Sequence, residues 1–400
     1  CDDEVLEKAV AEALEAGYRH IDTARAYENE TALGRALRRW INGDPARRKE
    51  LFIVTKLPPG GNRPDLVEEY FSASLKELGL DYIDLYLMHV PFAFEHVPGD
   101  LHPKNPDGSM RCDYSTDLLG VWKTSITCTK EKLPIPDRKS IWCSFVPYFL
   151  CPCCRGGEDR LATLMQSFDG NLEDSYENVD LRPSNTEFLT LNAEPSIMSI
   201  IHLHRTISKK RKRPKFYARI LQATILKLKE SGRVRHVGVS NMNEEQIARL
   251  SAVGKPACLQ IECHALCQQT AMLAFTKRLG IPVVAYSPLG SKALADSLAA
   301  KTGREYPSLL DLPSVKKIAA AHSRTPAQVL LRHLLQRGVA AIPKSTNPNR
   351  IKQNISVWDF ELNDKEMAEL AALDRGEEGR ICDFTFFPGV EKHPEFPFRK

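Results

Sequence analysis

The sequence predicts an α/β protein, a (β/α)8 barrel interrupted by one long irregular segment, and three observations predict it. Strand-type and helix-type apolar patterns alternate over both ends of the chain, the rhythm of a parallel sheet with crossover helices. Setting the irregular segment aside leaves about 300 residues with seven parallel-type strands, within the usual range for such a barrel. Each strand pattern also closes on polar residues: Asp22, Lys56, His89, Ser240 with Asn241, Gln260 with Glu262, Tyr286 and Lys344. The C-terminal strand ends of a barrel share one rim, so these residues converge on a pocket.

The elements follow in order. A helix over Asp2 to Ala16 stops at Gly17 and leads into the strand Tyr18 to Asp22. A helix from Glu30 to Trp40, the strand Leu51 to Lys56, a helix from Asp65 to Leu78 and the strand Tyr82 to His89 continue the alternation. A polar, proline-rich loop then runs to Asp117, and Leu118 to Lys123 opens another helix. The rhythm resumes with Ile225 to Gly232, the strand Val234 to Asn241, a helix over Glu244 to Ala252, the strand Cys258 to His264, a helix over Thr270 to Leu279 and the strand Val283 to Pro288. Beyond a loop to Leu312 come a helix from Ser314 to Arg337 interrupted near Pro326, the strand Val339 to Ser345, helices over Asn349 to Ile355 and Asp364 to Leu373, and an aromatic tail. Three parts result: residues 1–123 and 224–400 as the two portions of the barrel, and 124–223 as an irregular, disordered insertion.

Composition narrows the function classes. With 42% hydrophobic and 26% charged residues, the chain is ordinary globular material with no run long enough to span a membrane. A net charge of +4 is too mild to imply a nucleic-acid or membrane partner. The insertion carries 15 Lys+Arg against 11 Asp+Glu, so that excess belongs to it. Eleven cysteines at irregular spacing fit a reduced, cytoplasmic protein better than a disulfide scaffold. Cys151, Cys153 and Cys154 lack the paired spacing of a zinc site, so no metal is expected. The basic run Lys209 to Lys215 reads as a solvated stretch, with an anionic-surface patch as the alternative.

Among the rim residues, Asp22 and Tyr27 stand five positions apart where an apolar run stops. A free phenol near pKa 10 is almost inert as an acid at pH 7, but a neighbouring ammonium stabilises the phenolate and lowers that value. Lys56 would supply the ammonium, Asp22 would hold it, and His89 would orient a carbonyl oxygen. The plainer alternatives are an Asp22–Lys56 ion pair and a satisfied core histidine. No GxGxxG follows any strand, so a nucleotide would bind otherwise than in a Rossmann domain.

The segments GYRHIDTARAYENE, LFIVTKL, DLYLMHVP, VGVSN, LQIECH, VAYSPLGS and IPKSTNPNRIKQN resemble, in order, the signature segments of the aldo-keto reductase family. The resemblance implies a TIM barrel that reduces aldehydes or ketones with NADPH, acting as a monomer on a small-molecule carbonyl substrate. By matched position it implies Asp22, Tyr27, Lys56 and His89 as the catalytic tetrad, with Tyr27 the proton donor. Ser240, Asn241 and Gln260 match carboxamide contacts, Tyr286 the ring under the nicotinamide, and Ser287, Leu289 and Ser291 the pyrophosphate lining. Lys344, Ser345 and Arg350 match a 2′-phosphate clamp, whose ammonium and forked guanidinium favour NADPH over NADH. Asn354 matches an adenine contact, with Gln353 where many members have Glu. Val90, Phe92 and the aromatic tail are expected to wall the substrate pocket.

The chain departs from that pattern at two places. It opens in the first barrel helix, so the barrel is expected to lack its first strand and the hairpin before it, leaving two sheet edges. The insertion from Thr124 also splits a helix between strands. A catalytically silent nucleotide-binding or interaction protein therefore stays open beside the reductase.

Overall fold

Seven parallel strands pair strictly in chain order: β1 (His20–Asp22), β2 (Phe52–Leu57), β3 (Ile83–Met88), β4 (Val234–Ser240), β5 (Leu259–Glu262), β6 (Val283–Tyr286) and β7 (Ala340–Ala341). The structure is a computed structural model that describes residues 2–127 and 233–398. The Cys151 to Cys154 cluster, the basic run Lys209 to Lys215 and the stretch Ile225 to Gly232 lie outside those residues.

Side-chain alternation along each strand builds two layers. On β2, Ile53 and Leu57 point outward into the main core, while Val54 points inward to a smaller cluster with Leu85, Leu87, Cys258, Val284 and Ala340. Tyr86 and Met88 of β3 join the outer core, as do Val283 and Ala285 of β6. Gly238 of β4 faces inward because a Cβ there would fall 2.8 Å from Leu87 Cδ2 and 2.9 Å from the Cys258 carbonyl. The sheet curls far enough for Gln260 Nε2 on β5 to lie 2.7 Å from Asp22 Oδ2 on β1, strands that are not neighbours. Among the described residues, β1 and β7 remain the two edges of the sheet. Across that seam, helices α1 (Asp3–Glu15) and α11 (Pro348–Ile355) approach one another, and the Tyr18 hydroxyl donates to the Ile351 carbonyl at 3.1 Å.

Further helices among the described residues are α2 (Glu30–Ile41), α3 (Pro45–Glu50), α4 (Val67–Leu78), α5 (Leu118–Thr127), α6 (Glu244–Ser251), α7 (Thr270–Arg278), α8 (Lys292–Thr302), α9 (Pro313–Ala321), α10 (Pro326–Gln336) and α12 (Asp364–Ala371); α8 packs through Ala295 and Leu298 on Ile381 of the tail. Three differ from expectation. The stretch to Leu312, expected as a loop, contains α8, whose alanines and leucines favour helix and whose end is capped by left-handed Gly303. The short α3 was not expected; Asp44 caps it and Pro45 starts it. Helix α5 continues past Lys123 to Thr127, with Trp122 donating to the Gly254 carbonyl at 2.9 Å, so the barrel portion extends beyond the boundary expected at Thr124. The break near Pro326 separates α9 from α10, where Thr325 and Gln328 form a capping box.

Candidate functional site

The inward phase of each strand, carried one or two residues further, arrives at the expected rim residues. Val54 leads to Lys56, Leu85 and Leu87 to His89, Cys258 to Gln260 and Glu262, Val284 to Tyr286, and Ala340 through Ile342 to Lys344. All of these rim residues but Lys56 and Glu262 line a cavity of about 750 Å³ whose wall includes Asp22, Tyr27, His89, Val90, Ser240, Asn241, Gln260 and Tyr286.

Lys56 lies just beneath the cavity floor with no exposure, its Nζ 2.5 Å from Asp22 Oδ1 and 2.7 Å from the Thr23 carbonyl. The ammonium stands 5.1 Å from the Tyr27 ring centre. Tyr27 occupies a one-turn 3₁₀ helix, Arg25–Tyr27, and its ring meets His89 edge-on at 5.6 Å. Behind the turn, Glu30 is fully buried and accepts from Thr55 Oγ1, the residue beside Lys56.

These contacts set the electrostatics. Burial pushes the Lys56 ammonium down, but Asp22 and Tyr27 outweigh it and the net displacement is upward. Burial raises the Tyr27 phenol, Lys56 draws it back, and the net is again upward. The phenol in this structure is therefore held above its ordinary value, not below it as the sequence suggested. Half of Tyr27 faces the open cavity, so part of that desolvation applies fully only when the cavity is filled. For His89, burial first and then the charges of Lys56 and His102 push the imidazole down to about 3, keeping it neutral.

A hydrogen-bonded rack lies beside this cluster. Ser240 Oγ donates to the Gln260 carbonyl at 2.8 Å, and Asn241 Nδ2 reaches Ser240 Oγ and the His89 carbonyl. The Tyr286 hydroxyl donates to Asn241 Oδ1 at 2.8 Å, which fixes the ring. Gln260 spends one amide hydrogen on Asp22, so carboxamide rack and acid cluster are one network.

The cavity continues past Ser287 and Ser291 to Lys344, Ser345, Thr346 and Asn354. Its far end thus presents an exposed ammonium and hydroxyls at the start of α11, a donor set suited to an anionic group. Three expected cofactor contacts lie off the cavity wall in this structure. Leu289 packs between two core clusters, while Arg350 and Gln353 are exposed on α11. Phe92 is fully buried behind the wall, its ring 5.3 Å from Phe384; Val90, Phe384, Phe386 and Phe387 line the wall itself.

Sequence reasoning did not find the Thr23 carbonyl, His102, Cys382 or the α1 face of Leu6 and Val10, all at or beside the cavity. A main-chain acceptor carries no residue signature, and the other positions reach the site only through long-range folding. Among the described residues no group of three His, Cys, Asp or Glu side chains is placed to hold a metal, and no helix is long and apolar enough to cross a membrane.

Comparison with known proteins bears on this site. A model described as the Aldo/keto reductase family matches residues 1–119 and 198–375. Aldo-keto reductase family 1 member A1 of Mus musculus is 32% identical over 98% of this chain and 90% of its own length. The proteins of that name from Gallus gallus and Homo sapiens are each 31% identical with the same coverage. Among solved structures, the aldose reductase from Schistosoma japonicum aligns at 27% identity with a TM-score of 0.65, covering 100% of this chain and 92% of that one. An aldo-keto reductase of Bombyx mori in complex with NADP aligns at 27% identity and a TM-score of 0.63, covering 100% and 90%.

Proposed function

Because this chain belongs to the aldo/keto reductase family, we propose that it reduces small aldehydes or ketones to alcohols with NADPH, with Tyr27 as the proton donor. The observation that carries the reading is the convergence of Tyr27, Lys56, Asp22 and His89 on the wall and floor of one cavity.

A carbonyl oxygen held by neutral His89 would stand beside the Tyr27 hydroxyl. As negative charge develops on that oxygen, Tyr27 gives up its proton and Lys56 stabilises the resulting phenolate. Asp22 keeps the ammonium in place and satisfied. When bound, the dihydronicotinamide supplies the hydride to the carbonyl carbon. The residues fit that cofactor: Asn241 and Gln260 offer amides at one end, Tyr286 a fixed ring, and Lys344 with Ser345 a cationic end. Arg350, one turn into α11, would join Lys344 on a 2′-phosphate. Ser287, Ser291 and Asn354 line the path between. We also assign the protein to the cytoplasm as a monomer acting on a small carbonyl compound, without nucleic-acid or membrane partners.

A second reading rests on β1 and β7, which among the described residues are the two edges of the sheet and leave the nucleotide end of the cavity beside a seam that α1 and α11 span. There the chain would bind nucleotide without turnover. Purified protein with NADPH and benzaldehyde separates the two. The reductase reading expects NADPH consumption, and a Tyr27→Phe rate lower by about 10²- to 10⁴-fold with NADPH fluorescence quenching retained. Full activity in Tyr27→Phe would sink the mechanism; quenching without consumption in the unaltered chain supports the silent reading.

A further inference from the structure

Glu262 closes β5 two residues beyond Gln260, is wholly buried, and has no part in the chemistry proposed above. Its carboxylate is committed elsewhere. Oε1 accepts from the Ile381 backbone N–H at 2.9 Å and Oε2 from that of Cys382 at 2.8 Å. His264, also wholly buried, holds Oε1 through Nε2 at 3.0 Å while its Nδ1 accepts the Leu266 N–H at 3.3 Å, which leaves Nε2 as the donor. The carboxylate is thus clamped from behind and presents both oxygens to two successive amides of the C-terminal tail.

Those two amides mark where the tail enters the cavity. Cys382 lines it, and Phe384, Phe386 and Phe387 follow as its apolar wall, in edge-on and tilted contact with one another and with Phe387 stacked on His102. Upstream, Gly379 passes so close to the barrel that a Cβ would fall 1.8 Å from the Leu266 carbonyl, in the same turn that His264 holds. The start of the wall is therefore tied to β5, and through Gln260 to Asp22, at the Glu262 carboxylate, while the Met110 N–H holds its far side at the Pro388 carbonyl.

We propose that Glu262 is a positioning residue that sets substrate range: by docking the tail at Ile381 and Cys382 it fixes the aromatic wall against which bulky, apolar carbonyl compounds bind. This rests on the reductase reading of the site. A small aldehyde, which needs only the Tyr27 and His89 end of the cavity, depends on Glu262 less than one whose body reaches the wall.

The test compares the full chain with Glu262→Gln and Glu262→Ala under saturating NADPH, using propanal and 2-naphthaldehyde. In Glu262→Ala the KM for 2-naphthaldehyde rises roughly tenfold more than that for propanal, the worth of about one charge-assisted hydrogen bond passed on to the wall. Glu262→Gln, whose amide oxygen still accepts one N–H, falls between. Equal changes with both aldehydes, or none, overturn the proposal. Hydrogen exchange gives a second readout: the Ile381 and Cys382 amides are protected in the unaltered chain, and at least one of them loses protection in Glu262→Gln while β5 keeps its own. Retained protection at both amides overturns the docking. Should Glu262→Ala fail to fold, Gly379→Ala lifts the tail from its own side and is expected to give the same split in KM; a parallel change would count against the proposal. If the unaltered chain turns over neither aldehyde, the reductase reading fails, and exchange at Ile381 and Cys382 still decides whether Glu262 docks the tail.

Discussion

Lys56 Nζ lies 2.5 Å from Asp22 Oδ1, and the ammonium is sealed from solvent. Such a pair is worth little relative to an apolar replacement, yet breaking it from one side is expensive. Asp22→Asn would leave the ammonium with the Thr23 carbonyl and a weaker acceptor. We expect it to destabilise the fold by about 3 kcal/mol, and Asp22→Asn with Lys56→Met together to cost less than Asp22→Asn alone. Urea unfolding of the single and double variants checks this. Because the folded Lys56 is raised, its contribution is present below the ordinary lysine range and is lost as pH climbs through the raised value.

The pH dependence of turnover follows from His89. An imidazole pushed down to about 3 stays neutral across the physiological range, so kcat/KM for reduction is expected to show no inflection near pH 6.5. Loss of rate is expected only on the alkaline side, as the Tyr27 phenol, held above its ordinary value, gives up its proton. A histidine-like step near neutrality would contradict this arrangement. Stability moves at the other end. His89 is lowered to about 3, and buried His20 and His333 to about 4. The unfolded chain takes up protons that the folded chain refuses, so stability is full above the ordinary histidine value and falls as pH drops towards 4. Each group contributes about 1.4 kcal/mol per pH unit in that window, readable from urea midpoints at two pH values.

The rim of the site was legible because strand alternation is local: once Val54 faces inward, Lys56 must. The sequence marks His89, Gln260 and Tyr286 as polar closures of apolar runs, and the same alternation carries them to the rim. What was not legible depends on contacts distant in sequence. The Gln260–Asp22 bond joins residues 238 apart, and Glu262 meets Ile381 across 119, so neither leaves a periodic trace. Helix α8 escaped for a different reason. Its composition favours helix, but its short run of small side chains lacks the apolar stripe on which the reading relied. The phenol was misjudged because its direction depends on burial, which no residue pattern around Tyr27 encodes.

Cofactor preference is expected to depend on Lys344 and Arg350. Both are exposed, so their attraction for a 2′-phosphate is screened by water and salt and is smaller than that of a buried pair. Lys344→Met is expected to raise the NADPH Kd roughly tenfold and leave the NADH Kd nearly unchanged, narrowing the preference. Fluorescence titration with both dinucleotides at low and high salt checks it. An equal loss for both would place Lys344 away from the 2′-phosphate.

The crossing of α2 and α4 links packing to the proposed proton donor, Tyr27. A Cβ on Gly34 would fall 2.5 Å from the Leu78 carbonyl oxygen and 2.7 Å from that of Glu77, backbone atoms that cannot swing aside. Alanine favours helix over glycine by about 1 kcal/mol, but forcing two backbones apart costs about 1–3 kcal/mol, so the clash should win. The same contact carries the Tyr27 turn: Arg25 pairs with Glu77 on α4, and Glu30 at the start of α2 reaches Thr55 beside Lys56. Moving α2 off α4 would therefore draw Arg25 and the phenol away from Lys56. Gly34→Ala is expected to lower the melting temperature by several degrees and to change kcat more than the NADPH Kd, because the proposed nucleotide contacts lie on β4 to β7 and α11. Thermal melts with steady-state kinetics decide it: a stability loss with kcat intact would show that the turn is held by β2 alone.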